Sequence, residues 1–285
     1  MQQQPSILEY RRGRYLKLAL LLSVAAIAAY AWHQPPAIIL KSYGSTWLGY
    51  ALGGVAAFLV LWLMLLGIRK RRYHSNLGTV QGWTSAHVYL GLSVLVIATL
   101  HSGFEFGWNV HTLAYALLVL VIASGCIGVY AYLRYPALMT KNLGEDTLEA
   151  ALLKVDDLDR KCRRLALDMP DEVNAIVTRA TRAGPRPPGV GGSLRQQLAG
   201  DRAHCPTRAG IQALIALGAS YTGKQAALNG QLVSTMTRKS VVLDRVRRDL
   251  RYRALMQLWL YLHVPLSFAL LAALIAHVFS VLYFW

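Results

Sequence analysis

Acidic residues are scarce in this chain. Its 285 residues include 14 Asp and Glu against 30 Lys and Arg, and charged residues of either sign make up only 15%. Cysteine is rarer still: Cys126, Cys162 and Cys205 lie far apart. That spacing excludes a CxxC redox pair, a zinc knuckle and the usual iron–sulfur patterns, and the missing CxxCH excludes covalent c-type haem. A structural disulfide is not expected, because Cys162 and Cys205 fall in a polar region assigned below to a reducing compartment. There is no GxGxxG, no Walker A motif and no flavin or nicotinamide fingerprint, so no nucleotide-dependent dehydrogenase is built into the chain. Nor is there a Ser/His/Asp set or a convincing catalytic carboxylate pair.

What the chain has instead is apolar length. Hydrophobic residues make up 55% of it and gather into five runs of membrane-spanning length. These are Tyr15 to Trp32, Thr46 to Ile68, Thr84 to His101, Thr112 to Tyr132 and Leu255 to Trp285. Trp32, Trp47, Trp83, Trp108 and Trp285 sit near their ends, at the level amphipathic rings prefer. The expected fold is all-α: a polytopic membrane helical bundle of five spans, with a helical insert between spans four and five. Its divisions are an N-terminus over 1–14, spans one to four over 15–133, the insert over 134–254 and span five over 255–285.

Basic residues set the expected orientation. Arg11, Arg12, Arg14 and Lys17 open the first span, and Arg69, Lys70, Arg71 and Arg72 follow the second. The loop 33–45 has only Lys41, and the loop 102–111 has no Lys or Arg. The positive-inside rule then places the N-terminus and the insert in the cytoplasm and Trp285 outside, in an inner (plasma) membrane. A cleaved signal peptide is the competing reading of span one, on its basic start and Ala29-Tyr30-Ala31, and it leaves the orientation of the rest unchanged. The net charge of +16 is explained by this topology and by anionic lipid rather than by nucleic acid.

The insert is polar, with 20 Lys and Arg against 12 Asp and Glu between residues 136 and 253. Gly144 to Met169 reads as a helix, with Leu148, Leu152, Leu153, Val155 and Leu158 as its apolar stripe. Asp171 to Arg182, Ile211 to Ala219 and Gln225 to Arg253 read as further helices, the last running into span five. Ala183 to Gly192 reads as a linker. The surface suits docking of a cytoplasmic redox protein or dehydrogenase subunit; the plain alternative is a solvated helical hairpin.

Chemistry concentrates in four histidines. His87 and His101 lie in span three, His263 and His277 in span five, each pair 14 residues apart. Fourteen residues return a helix to within about 40° of the same face, about 21 Å further on. Ionisable groups in hydrocarbon are costly, which makes intramembrane histidines functional candidates. Two matched pairs on adjacent helices are the arrangement that ligates two haems, each between two imidazoles. Packing hydrogen bonds or a proton or metal path are the alternatives, but the two spans supply no carboxylate or cysteine beside the histidines. The expected pairs are His87 with His263 and His101 with His277.

Small residues on the intervening faces, Gly91 and Ala98 in span three, Ser267 in span five, and Gly125 and Gly128 in span four, leave room for a macrocycle. Pro265 is expected to bend or locally unwind span five. Arg71, Arg72, Arg251 and Arg253 are candidate propionate partners on the cytoplasmic side, and Lys41, His33 and His111 outside. Glu105, the one acid outside the cytoplasmic regions, is a candidate proton acceptor for quinol, against the default of a solvated loop carboxylate.

With these residues in view, the chain resembles the di-haem cytochrome b membrane subunits of respiratory oxidoreductases and the transmembrane part of ferric reductases and NADPH oxidases. The resemblance covers roughly residues 84–133 and 255–285 and rests on the four histidines and their topology. It departs in lacking a sixth span and a flavin or nicotinamide domain, and in carrying the insert. It implies haem b and transmembrane electron transfer, in a subunit linking a cytoplasmic partner with quinone or an outer acceptor, alone, as a dimer or in a larger complex. A self-sufficient quinol or metal reductase and a haem-based redox sensor are the alternative functions.

Overall fold

The computed structural model describes residues 7–33, 43–72, 78–182 and 205–284. Among these residues the regular structure is entirely helical, with no strand. The helices are α1 (Arg14–Trp32), α2 (Trp47–Arg71), α3 (Val80–His101), α4 (Val110–Leu143), α5 (Leu148–Ala166), α6 (Asp171–Arg182), α7 (Pro206–Gly218) and α8 (Gly223–Phe284). Five of them, α1 to α4 and α8, are long and apolar enough to cross a membrane. The segment 183–192, read above as a linker, Lys41 and Trp285 lie outside the described residues.

The chain divides into two compact units, residues 1–129 with 259–285, and residues 130–258. In the first unit the ends of the helices follow from local chemistry. Thr46 and Thr79 cap α2 and α3, each hydroxyl accepting a backbone N–H, from Gly49 at 2.9 Å and from Gly82 at 3.1 Å. At the other end of α2, Arg69, Lys70 and Arg71 fill the last turn, where cations suit the helix dipole. The Arg69 guanidinium donates to the carbonyls of Arg72 (3.0 Å) and Gly78 (2.6 Å) and so ties the turn to the start of α3. The core joins Ala26 of α1, Leu52, Leu59 and Val60 of α2, Val94 and Ile97 of α3, Leu118 of α4 and Leu270 of α8. Large apolar side chains point outward all round it, Leu21, Phe58 and Phe268 among them, as expected of helices that face an apolar solvent.

Of the expectations about the helices, local unwinding at Pro265 does not occur and a boundary moves at Gly144. Span five continues through Pro265 as regular helix, with no unwound turn. Ser267 one turn below His263 donates its hydroxyl to the His263 carbonyl at 2.8 Å. Gly144 ends α4 in the left-handed region (φ 67°) and α5 begins only at Leu148, behind the Thr147 cap. No single helix therefore runs from Gly144 to Met169.

The second unit packs the amphipathic α5 and α6 against α7 and the first part of α8. Its core holds Cys162, Met169, Val173, Val177, Leu214, Leu232 and Met236. The buried face of α5 is Ala151, Val155, Asp159, Cys162 and Ala166, whereas Leu153, assigned to the apolar stripe, is 70% exposed. Asp159 can occupy that face because the fully buried Lys239 of α8 pairs with it. The same ammonium donates at 2.8 Å to the Ala180 carbonyl near the end of α6.

Candidate functional site

The structure brings the four histidines together as two pairs. The rings of His87 and His263 have centroids 6.4 Å apart and planes at 67°. Those of His101 and His277 are 5.9 Å apart at 88°. Two imidazoles bonded to one metal through nitrogen, at about 2.0 Å per bond, place their centroids roughly 6 Å apart. Both pairs therefore have the span that a single iron with two axial imidazoles needs.

Which nitrogen each ring turns to its neighbours settles more. His87 Nδ1 lies 3.0 Å from the carbonyl of Leu63, and His101 Nδ1 lies 2.7 Å from the carbonyl of Gly49. A carbonyl oxygen only accepts, so both Nδ1 atoms carry the proton. Ser124 Oγ, on α4, lies 2.7 Å from His263 Nδ1. That hydroxyl already donates its hydrogen to the Val121 carbonyl at 2.7 Å, so it accepts from His263. In these three rings the neutral form therefore keeps its lone pair on Nε2, the state of an imidazole ready to ligate a metal. His277 Nδ1 faces His111 Nδ1 at 2.5 Å, where one ring donates and the other accepts.

The supports form a pattern. Both α3 histidines are held by backbone carbonyls of α2, and Gly49 and Leu63 are themselves 14 residues apart. Both α8 histidines are held by side chains of α4. Glycine makes the approach feasible. A Cβ on Gly53 would sit 2.7 Å from Cε1 of His101, so the ring rests against bare backbone. Gly49, one turn earlier, is pressed against the turn at Tyr43 and Gly44, where a Cβ would be 2.6 Å from a carbonyl oxygen.

A cavity of about 890 Å³ adjoins the His101/His277 pair. Between the pair and the middle of the bundle it is lined by Val94 and Ala98 of α3 and Leu270 and Leu274 of α8. Glu105 and His111 also line it. This volume and mostly apolar wall suit a large, mostly apolar ligand. Gly91 lies next to Leu63, whose methyl would be 3.9 Å from a Cβ there.

The other charged candidates fall as follows. Lys70 sits two turns beyond Leu63 on the same face of α2 and is exposed. Arg71 and Arg72 are exposed. Arg251 and Arg253 belong to the second unit, where Arg253 pairs with the buried Asp249 at 2.8 Å. His33 packs edge-on to Trp47 and Tyr43. His111 joins the histidine cluster instead of standing apart as a loop residue.

Sequence reasoning missed Gly49, Gly53, Leu63, Ser124, Trp259 and the contact of His111. One signal was present: Gly49 and Gly53 form a GxxxG step, a mark of close helix approach. Backbone carbonyls such as that of Leu63 carry no sequence signal at all. Among the described residues no group of three or more His, Cys, Asp or Glu is placed to hold a bare metal ion. No family model, curated protein or solved structure matches the chain.

Proposed function

We propose that this chain is a membrane electron-transfer protein that holds two b-type haems, one between His87 and His263 and the other between His101 and His277. The observation that carries this reading is the two facing imidazole pairs, at 6.4 and 5.9 Å, with three of the four rings held by Nδ1 so that Nε2 is left for a metal. When bound, such haems supply one-electron couples with both axial positions filled. The chain's own residues position them. α2 orients the α3 ligands through the Leu63 and Gly49 carbonyls, and α4 orients the α8 ligands through Ser124 and His111. Val94, Ala98, Leu270 and Leu274 supply an apolar wall beside the His101/His277 pair.

Under the positive-inside orientation, His87 and His263 lie at the cytoplasmic level of an inner membrane and His101 and His277 at the outer level. The 14-residue spacing puts the two levels about 21 Å apart along α3. The chain then acts as the membrane subunit of a respiratory-type oxidoreductase, resembling di-haem cytochrome b, with a cytoplasmic redox partner on the side of the helical insert. A reduced-minus-oxidised spectrum with pyridine extraction tests the reading. A haem-to-protein ratio near two is expected; a colourless protein from haem-replete cells overturns it.

A second reading is favoured by one observation: Glu105 and His111 line the same cavity as the outer pair. There a quinol would give its two electrons one at a time to the outer haem, one proton passing to Glu105 and the other to solvent. Glu105→Gln should then slow quinol-dependent reduction while leaving reduction by dithionite intact; an unchanged quinol rate removes the role.

A further inference from the structure

Trp259 stands one turn before His263 on α8, and its indole stacks on the imidazole with centroids 5.3 Å apart and planes at 28°. Its Nε1–H donates to the Ser124 carbonyl at 2.7 Å. The benzo edge of the indole lies against Gly128, where an added Cβ would overlap the ring. Ser124 thus grips both rings at once, the indole through its carbonyl and the imidazole through its hydroxyl. Gly125, between them on α4, passes 3.6 Å from His263 Cε1 by the same measure.

We infer that Trp259, seated on Gly128, is a positioning residue that fixes the ring plane of His263 and so sets the redox potential and magnetic signature of the one haem this histidine ligates. The inference rests on the haem reading above. An imidazole has two side-chain torsions. The Ser124 hydroxyl fixes where Nδ1 points, and the stacked indole blocks rotation about the remaining freedom. The plane of an axial imidazole decides which iron d orbital its π electrons raise, and supporting groups of this kind tune both ligand strength and potential. The effect is confined to one level, because among the described residues His277, further along the same helix, has ring contacts with His101 and His111 and not with an indole.

The test uses the full-length, haem-loaded protein and three variants: Trp259→Phe, which keeps a stacked ring but loses the N–H; Gly128→Ala, which displaces the indole; and Gly53→Ala, which disturbs His101 at the other pair. Haem content, low-temperature EPR and a redox titration are read together. With two haems retained, Trp259→Phe and Gly128→Ala should shift the same one of the two low-spin signals and the same one of the two potentials. Gly53→Ala should shift or abolish the other. Loss of that single haem in either Trp259→Phe or Gly128→Ala, with its neighbour intact, supports the same assignment. Two unmoved signals, or two that move together, overturn it, and loss of both haems makes Trp259 a packing residue of the bundle. A wild-type protein without haem overturns the underlying reading instead, and is recognised before any variant is made.

Discussion

His111 Nδ1 meets His277 Nδ1 at 2.5 Å, the one place among the described residues where a candidate ligand is held by another imidazole. Were His277 to hold the proposed haem through Nε2, its Nδ1–H would donate and His111 would accept, which requires the His111 proton on Nε2. Replacing a group that orients a metal-bound histidine weakens metal affinity by roughly 10–100-fold. His111→Ala should therefore lower the affinity of the His101/His277 haem by that order and leave the other haem in place. Haem titration of the apoprotein, followed by absorbance, measures it. Equal loss at both sites would contradict the assignment.

The ring planes predict a magnetic signature. If each pair holds a haem as proposed, interplanar angles of 67° and 88° would leave the two iron d orbitals that interact with imidazole π electrons nearly equal in energy. Both oxidised haems should give strongly anisotropic low-spin EPR signals, the more extreme from the His101/His277 pair. A pair of ordinary rhombic signals, typical of parallel imidazoles, would contradict the geometry.

Gly53→Ala isolates the role of close approach. The new Cβ falls 2.7 Å from Cε1 and 2.9 Å from Nδ1 of His101, a ring already tied at 2.7 Å to the Gly49 carbonyl. The ring must move, and the expected result is about tenfold or greater loss of haem at that pair. Gly67→Ala on the same helix meets nothing within 4 Å and serves as the control. The ratio of haem to protein after purification reads both.

The buried Lys239–Asp159 pair controls the second unit. Removing one partner strands the other, at a cost of about 3–5 kcal/mol, whereas replacing both by apolar residues is close to neutral. Lys239→Met should lower the melting temperature sharply, and adding Asp159→Leu should recover much of it. Burial raises the Asp159 pKa, an effect that Lys239 partly offsets. A carboxyl whose folded pKa is raised binds its proton more tightly in the folded state. Its contribution to stability is therefore largest at low pH and falls as pH rises from the ordinary carboxylate value through the raised one. In Lys239→Met that fall should be larger, which melts at a series of pH values would reveal.

Legibility varied by residue. Helix existence was readable wherever apolar runs were long, as in α2 and α3, because length and composition alone decide it. Boundaries were readable where a cap was present, as at Thr46, and misread at Gly144, whose left-handed backbone ends α4 while the next helix starts only behind the Thr147 cap. Leu153 shows the limit of pattern reading: the rest of its stripe faces inward while Leu153 is exposed, and the buried face also takes in Asp159, because a charged residue is admitted to a core only when a distant partner such as Lys239 arrives to meet it. Ser124 and Trp259, separated from each other by 135 residues, could not be connected by any local rule.

The sequence by itself determined the long apolar helices and the two histidine spacings, since both follow from periodicity and from the residues' own cost in an apolar medium. Only the tertiary structure decided which imidazole faces which, which nitrogen each presents, and that glycines 53 and 128 make room for the rings beside them. Those outcomes depend on carbonyls, hydroxyls and bare backbone delivered by other helices, and such contacts exist only once the helices have packed.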